Sequence, residues 1–503
     1  MSDSVLVIGA GIAGLCTALA LGPTGRQVTL VERDASPPTG DADTAFRDWK
    51  RTGVGHLRQS HAFLARLSLL LKADHPRLLQ ELAAFGVREL PFEAMLSEDQ
   101  RKVYRAEPSD ADLTIITSRR TTLELVMRRY VETLPNVTIR SGVFTRRLIT
   151  ERAPDGTLMV IGIEGDTADG PIELRADLVV DASGKGGDFV GQLADQGATV
   201  AETGETAGIL YFTRHYRLKP GCSEPPRIGN PPPSGDLGFL KFGVFPADNG
   251  CFSITMCAPE IEYELRKAIV NPQTFQAMTT MLPGLRPWTD PALAEPTSKV
   301  FGMGDLRARW RDLVVDGRPA ALGYFAIGDN LVRTNPLYGR GCSFAAVAAY
   351  QLRDVLKAST DPVARALAYH AAIHAELKPF YIGMNKQDRA AIRRARAALT
   401  PGYKPSLKAR LAKAFAEDAI GIALRYETSL LRQAMRGFHM LEDPEAWIKR
   451  PANLALILKY WARGRKRNAA AYPPKPGPDR EDMMRALGLD PQADIDLAMQ
   501  EAA

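Results

Sequence analysis

The first thirty-odd residues constrain this chain most. Val5 to Ile8 is an apolar run that reads as a buried parallel strand and stops at Gly9. Gly9-Ala-Gly11-Ile-Ala-Gly14 then opens a helical pattern through Leu15, Ala18 and Leu21, and a second apolar run, Val28 to Val31, ends in Glu32. Strand, glycine turn, helix, strand and acid in that order make a dinucleotide-binding unit. Gly9 permits the tight turn, Gly11 lets backbone approach a pyrophosphate, and Gly14 lets helix and strand pack closely. The helix N-terminus offers free N–H groups and a partial positive charge to phosphate. Glu32 can accept from a ribose diol and would repel an adenosine 2′-phosphate. FAD or NAD therefore fits this unit better than NADP. Glycine turns also join strands to helices where no ligand binds; the complete strand-to-acid order favours the nucleotide.

At 503 residues the chain has room for two or three domains. Its five cysteines, Cys16, Cys222, Cys251, Cys257 and Cys342, are scattered and form no CxxC pair. That fits a reducing compartment and supplies no metal framework. The opening Met1-Ser-Asp-Ser4 lacks a basic n-region, and no stretch approaches the ~20 apolar residues that span a bilayer, so a cytoplasmic protein is expected. The net charge of +6 is unevenly spread. Arg389, Arg393, Arg394, Arg396, Lys404, Lys408, Arg410 and Lys413 lie close together, and Arg463-Gly-Arg465-Lys466-Arg467 follows the apolar Leu454 to Leu458 and Tyr460-Trp461. A basic run beside aromatic and aliphatic residues fits peripheral contact with an anionic membrane. It also fits a helix packed on its own domain with a solvated basic end, which is the favoured reading. No nucleic-acid recognition motif accompanies the charge, so no nucleic-acid partner is expected.

Further along, Asp34 to Asp43 is polar and reads as a loop. Arg51-Thr-Gly-Val-Gly-His-Leu-Arg58 and Gln59-Ser-His61 lead into a helix through Leu64, Leu67 and Leu71, with His61 at its N-terminal end. Arg120 to Tyr130 is helical. Turns at Pro154-Asp-Gly156 and Asp169-Gly170 separate the strands of an antiparallel meander. The buried run Ala176 to Asp181 closes on Gly184. Between about 190 and 300, long strands at Gly208–Arg217, Leu237–Phe245 and Gly250–Cys257 suggest an inserted sheet. Tyr211, Phe212, Tyr216, Phe239 and Phe242 line its pocket or fill its core, core being favoured for each. The chain returns with Tyr324-Phe-Ala-Ile-Gly-Asp329, then Asn335-Pro336-Leu-Tyr-Gly339-Arg-Gly341 and a helix to Lys357. Residues 361–435 are helical, and Pro473 to Pro478 reads as a linker to a short terminal helix.

Three separated stretches, Gly9–Gly14 with Glu32, Asp177–Gly184, and Gly328-Asp329 with Pro336–Gly341, resemble the FAD fingerprints of the flavoprotein monooxygenase superfamily, whose fold is similar to that of para-hydroxybenzoate hydroxylase. Relatives with an Asn-Pro-x-Tyr-Gly-Gln-Gly box also carry stretches that resemble Arg58 to Leu64 and Arg120 to Glu124. The resemblance implies an α/β protein: a Rossmann-type FAD-binding domain (1–75, 110–190 and 300–357), an inserted antiparallel-sheet substrate domain (76–109 and 191–299), and a helical C-terminal region (358–503). It implies that Gly9, Gly11 and Gly14 hold the pyrophosphate, Glu32 the adenosine ribose, and that Arg33 lies at the adenine end. Arg58, His61 and Arg120 would lie near the flavin or its phosphates, and Asp329 at the ribityl chain or pyrophosphate. Pro336, Gly339 and Gly341 would shape the backbone against the isoalloxazine. A helix N-terminus at Gly341 would stabilise an anionic reduced flavin by up to ~2 kcal/mol. The chain departs from the relatives at Arg340, where glutamine is usual, and at Cys342. Arg340 then either adds positive charge near the flavin or points to solvent.

The activity so implied is an FAD-dependent monooxygenase. NAD(P)H, or a separate flavin reductase, would supply electrons, and O₂ would be activated as a flavin C4a-hydroperoxide that hydroxylates or epoxidises a small hydrophobic or aromatic substrate. The cofactor carries the hard chemistry, so no catalytic residue is assigned; His61 and Tyr338 are noted only for their proximity to the ring. The alternatives are a flavin reductase of isoprenoid double bonds similar to geranylgeranyl reductases, a flavin-dependent halogenase, and a non-catalytic escort protein. The halogenase is disfavoured because Trp447 is followed by Ile-Lys-Arg-Pro and not by the Trp-x-Ile-Pro of that class.

Overall fold

The apolar run at the N-terminus becomes the middle of a five-stranded parallel sheet ordered Tyr324–Ala326, Leu178–Asp181, Val5–Ile8, Val28–Glu32 and Val137–Ser141. Val5 pairs with Val28 on one side and Leu178 on the other. Sequential strands run outward from Val5–Ile8 one way and then the other, so the order reverses beside Gly9. Such a reversal opens a crevice beyond the carboxyl ends of the strands. The structure, a computed structural model, describes residues 3–226 and 231–502; Met1 and Ser2, where the signal-peptide reading begins, lie outside them.

Both faces of the sheet are covered. The helix Ile12–Leu21 lies beside the helix Gly341–Ala358, and Leu15, Leu19, Val7, Val180, Phe344 and Val347 share one core. The meander forms as its turns require, from Phe144–Arg152, Leu158–Thr167 and Gly170–Arg175. Two local expectations are corrected. The stretch read as a loop to Asp43 ends in a helix, Ala42–Asp48, because Asp41 accepts a bond from the Thr44 N–H (2.9 Å) and caps it. His61 is not in a helix: Phe63 is held extended by a bridge to Ile116, and the helix starts only at Ala65.

A second, antiparallel sheet contains Ser234–Asp236, Lys241–Pro246, Cys251–Pro259, Ile209–Leu218 and Ala294–Pro296. Alternation sorts its side chains by face. Phe212, Tyr216, Phe252, Ile254 and Met256 point into one core with Phe239, Phe242, Phe275 and Met278. Four of the five aromatics weighed above are therefore core residues. Tyr211 lies on the opposite face with Ile209 and Cys257. The helix Arg480–Ala486, beyond the proline-rich segment, does not stand apart. Its Met483 and Met484 fill the same sheet core, and Arg480 pairs with Glu262 (2.8 Å) and Asp494 (2.9 Å).

The remaining helices begin with Pro362–Leu399, which lies against Gly341–Ala358. A small separate core follows, in which Ile422, Ala423 and Leu430 meet Ile457 and Tyr460 of the helix Pro451–Arg467. Among the described residues no helix is long and apolar enough to cross a membrane.

Candidate functional site

Three sequence-distant turns meet at the carboxyl ends of the parallel strands. Gly9 has φ +98°, and a Cβ there would lie 2.7 Å from the Ala182 carbonyl oxygen, so the first turn sits against the second. Gly328 has φ +69°, and a Cβ there would lie 2.9 Å from Cβ of Ala13, so the third turn touches the first helix. Asn330 Nδ2 donates to Ser183 Oγ (2.8 Å), and Ser183 Oγ donates to Asp181 (2.7 Å), tying the third turn to the second. Asp181 is fully buried and also accepts from Tyr324 (2.7 Å); burial raises its pKa despite these donors.

Within this junction the glycines differ in what surrounds them. A Cβ on Gly14 would lie 1.9 Å from the Gly9 carbonyl oxygen, so helix and strand touch backbone to backbone. A Cβ on Gly11 would meet only the tip of Arg51, at 3.8 Å, and one on Gly341 would meet nothing within 4 Å. Gly11 and Gly341 flank the starts of the two adjacent helices, and neither helix start has a side-chain cap or an acid in its first turn. Each of these two packed helices thus starts with free N–H groups beside an open glycine. This is a donor surface for an anion or a polarised carbonyl. Gly339, at φ +64°, lets the chain turn between Pro336 and Gly341, with Asn335 Oδ1 accepting from the Leu337 N–H (3.0 Å).

The charged residues form a buried chain that sequence reasoning missed in its centre. Glu32 accepts from the N–H groups of Ala10 (2.9 Å) and Asp34 (3.0 Å), and from Arg51 (2.9 Å). Arg51 also pairs with Asp34 (3.3 Å) and Glu124 (2.6 Å). Burial pulls its guanidinium down, but Glu124, Glu32 and Asp34 outweigh burial and hold its pKa above the usual range. Glu124 then pairs with Arg120 (3.2 Å), which reaches His56 and, at 3.5 Å, His61 Nε2. His61 Nδ1 donates to the Gln59 carbonyl (2.9 Å), so Nε2 is the bare nitrogen facing Arg120. Burial, with the Arg120 charge, lowers the His61 pKa to about 3.

The other nominated residues separate. Arg33 lies flat against Gly53 and Gly186, where a Cβ would strike its guanidinium. Arg58 donates to the carbonyls of Phe46 (3.0 Å), Arg47 and Trp49 (both 3.3 Å), closing the C-terminal end of Ala42–Asp48. That is a helix-capping role for Nε and Nη2, and Nη1 takes no part in it. The Asp329 carboxylate receives no hydrogen bond from a described residue; burial raises its pKa against the pull of Arg333 and Arg120. Tyr338 donates to Asp388 (2.9 Å), which also accepts from Asn335 (2.9 Å), and Asn335 accepts from Tyr211 (2.6 Å). This chain links the second sheet, the turn before Gly341 and the helix Pro362–Leu399. Neither Tyr338, committed as a donor and raised by burial, nor His61 is set up to accept a proton at neutral pH.

Open backbone at Gly11 and Gly341, two uncapped helices and a carboxylate at Asp329 without a hydrogen bond from a described residue fit FAD, whose pyrophosphate and flavin would accept from such N–H groups and whose ribityl hydroxyls would donate to such an acid. Fold and site together define a dinucleotide-binding flavoenzyme. The chain belongs to the FAD dependent oxidoreductase family, whose model matches residues 4–354. It is 27% identical over 385 residues to Protein Rv3254 of Mycobacterium tuberculosis (strain ATCC 25618 / H37Rv), an alignment that covers 73% of this chain and 75% of that protein. Among solved structures it is similar to OxyS anhydrotetracycline hydroxylase from Streptomyces rimosus (TM-score 0.56, 18% identity, 88% of this chain and 76% of that one). It is equally similar to the flavin-dependent brominase Bmp2 (TM-score 0.57, 15% identity, 93% and 100%). These two likenesses speak to the fold alone, which this chain shares with both flavin-dependent enzymes. The chain is an FAD-dependent oxidoreductase.

Proposed function

We propose that this oxidoreductase is a monooxygenase that takes electrons from NAD(P)H and inserts one oxygen atom of O₂ into a small hydrophobic organic molecule. The observation that carries the reading is the open donor surface at Gly11 and Gly341, next to a turn braced through Asn335 to Tyr211 of the second sheet. The FAD so held supplies hydride acceptance and O₂ activation. Gly9, Gly11 and Gly14 shape the pyrophosphate approach, Glu32 and Arg33 the adenosine end, and Asp329 the ribityl chain. Pro336, Gly339 and Gly341 present backbone to the ring. Arg120, in contact with the uncharged rings of His56 and His61, carries positive charge toward the same junction.

The substrate, on this reading, lies between that turn and the sheet face bearing Ile209, Tyr211 and Cys257, packed with Met303 and Leu306. An apolar face there orients a hydrophobic substrate and excludes water, which limits unproductive loss of activated oxygen. The second sheet thus serves as the substrate domain, and the tyrosine–asparagine–aspartate chain fixes its distance from the flavin turn.

Two measurements test the proposal. Purified protein is expected to be yellow, and Gly11→Val to fold with the melting temperature of the flavin-free parent yet bind no flavin, because its side chain meets no protein neighbour closely. Gly14→Val, by contrast, is expected to lose both, since its Cβ lies 1.9 Å from a carbonyl oxygen. A Gly11→Val protein with full flavin content would refute the cradle. Substrate-stimulated NAD(P)H oxidation with ¹⁸O from ¹⁸O₂ in the product supports the monooxygenase; anaerobic saturation of an alkene would replace that reading by the reductase.

A further inference from the structure

The helix Leu407–Ala414 has no buried residue, yet it carries Leu407 (68% exposed) and Leu411 (53%). An eight-residue helix is too short to persist on propensity alone and normally depends on burying one face. Leu407, Leu411 and Phe415 stand four residues apart and share one face. Phe415 meets the ring of Trp461 at 5.4 Å, edge to face. Trp461 continues a second stripe, Leu454, Leu458 and Trp461, along Pro451–Arg467, and its members are 39%, 42% and 39% exposed. That helix already buries a separate stripe, Asn453, Ile457 and Tyr460. The outward stripe is therefore surplus to its own packing. Two exposed apolar stripes converge at one aromatic contact.

The surrounding charge has one sign. Lys404, Lys408, Arg410, Lys459, Lys466 and Arg467 make no ion pair with a described residue. The acids nearby are engaged: Glu417 by Lys413 (3.9 Å), and Asp418 by Tyr472 (2.7 Å) and Arg465 (4.0 Å). Gly464, at φ +73°, breaks the helix and redirects Arg465 to Arg467. Leucines and a tryptophan bordered by unpaired lysines and arginines suit the headgroup–acyl boundary of a bilayer with negative surface charge. From this we infer that residues 404–415 and 454–467 form a docking plate for anionic lipid, separate from the flavin junction. One face of Pro451–Arg467 packs on its own region, and the other is exposed.

The test is flotation of the full-length, flavin-loaded protein with phosphatidylcholine vesicles, with and without a minority of phosphatidylglycerol. The protein is expected to float with the anionic vesicles only, and less so at high salt. Leu411→Asp with Leu458→Asp, or Lys466→Glu with Arg467→Glu, should each lower partitioning on the order of tenfold, with flavin content and melting temperature unchanged. Absence of flotation with either vesicle overturns the inference. So does undiminished flotation of the leucine variant, which would mean charge alone. A dimer in sedimentation velocity that Leu411→Asp dissociates, without flotation of the parent, would assign the plate to a second copy and overturn it as well. None of these readouts depends on the monooxygenase reading.

Discussion

Arg51 and Arg340 are both buried arginines on turns that border the flavin junction, and they are held in opposite ways. Arg51 lies among Glu32, Asp34 and Glu124, at 2.9, 3.3 and 2.6 Å. Arg340 has no carboxylate. Its guanidinium lies 5.1 Å from the ring centre of Phe380 and 5.8 Å from those of Tyr338 and Phe438. Its Nε is sealed from solvent without a hydrogen-bond partner among the described residues, and so are both ring nitrogens of His439, whose pKa burial and the Arg340 charge lower. Burial, unopposed by an acid, pulls Arg340 down to about 10. The contrast shows two uses of one side chain. Arg51 joins a strand end, a loop and a helix through charge, so it organises the Glu32 side of the junction whether or not a ligand is bound. Arg340 is positioned by aromatic faces, which attract the cation yet leave its N–H groups uncommitted.

The largest expected effect separates the two at once. Among the described residues Arg51 alone touches Glu32, Asp34 and Glu124 together, so Arg51→Met leaves buried carboxylates short of their partner. Breaking such a cluster from one side costs about 3–5 kcal/mol. In urea unfolding the midpoint should fall accordingly, and the protein should lose flavin as Glu32 is released. A midpoint equal to that of the parent would mean that these loops are held by packing and not by charge.

The uneven legibility of these features in the sequence has a physical basis. Close-packing glycines announce themselves locally: Gly9 needs a positive φ, Gly14 needs a missing Cβ, and both needs follow from a strand turning into a helix. Strand faces are also local, since alternation from Ile209 to Leu218 sends Phe212 and Tyr216 one way and Tyr211 the other. Ion pairs across long separations leave no such mark. Arg51, Arg58 and Arg120 look alike in the sequence. Yet the first pairs with three acids, the second caps Ala42–Asp48, and the third meets two histidines. The same holds for Met483 and Met484, whose burial in a distant sheet cannot be read from the proline-rich segment before them. Arg340 is an intermediate case. Its departure from the relatives was visible, but two of the three rings around it, Phe380 and Phe438, come from helices far along the chain.

A smaller effect sharpens the comparison through pH. Burial, first of all, lowers His439 and His215 to about 4 and His61 to about 3. The unfolded chain binds protons at these histidines below about pH 6.5, whereas the folded chain does not. Their contribution is therefore complete above about pH 6.5 and is lost as pH falls toward the folded values. Melting temperatures measured across that range should decline, and His439→Phe should decline less steeply than the parent because the Arg340 side loses its acid-sensitive group. Identical slopes would mean that His439 is protonated in the folded protein, with a hidden acceptor beside Arg340.

The smallest expected effect falls on Arg340 itself. Arg340→Met deletes a buried charge without stranding an acid, so the desolvation relieved offsets the cation–π attraction lost, which at a desolvated site reaches about 2 kcal/mol. The net change in the urea midpoint should stay within about 1 kcal/mol, against several for Arg51→Met, and flavin content should be unchanged. Arg340→Lys distinguishes the reasons, since an ammonium keeps the charge but loses the planar face that lies among the three rings. If aromatic faces position the cation, the lysine variant is the less stable of the two. Were Arg340→Met instead as damaging as Arg51→Met, the guanidinium would have to be paired in solution with an acceptor that the aromatic cage conceals. The two arginines would then be variants of a single arrangement.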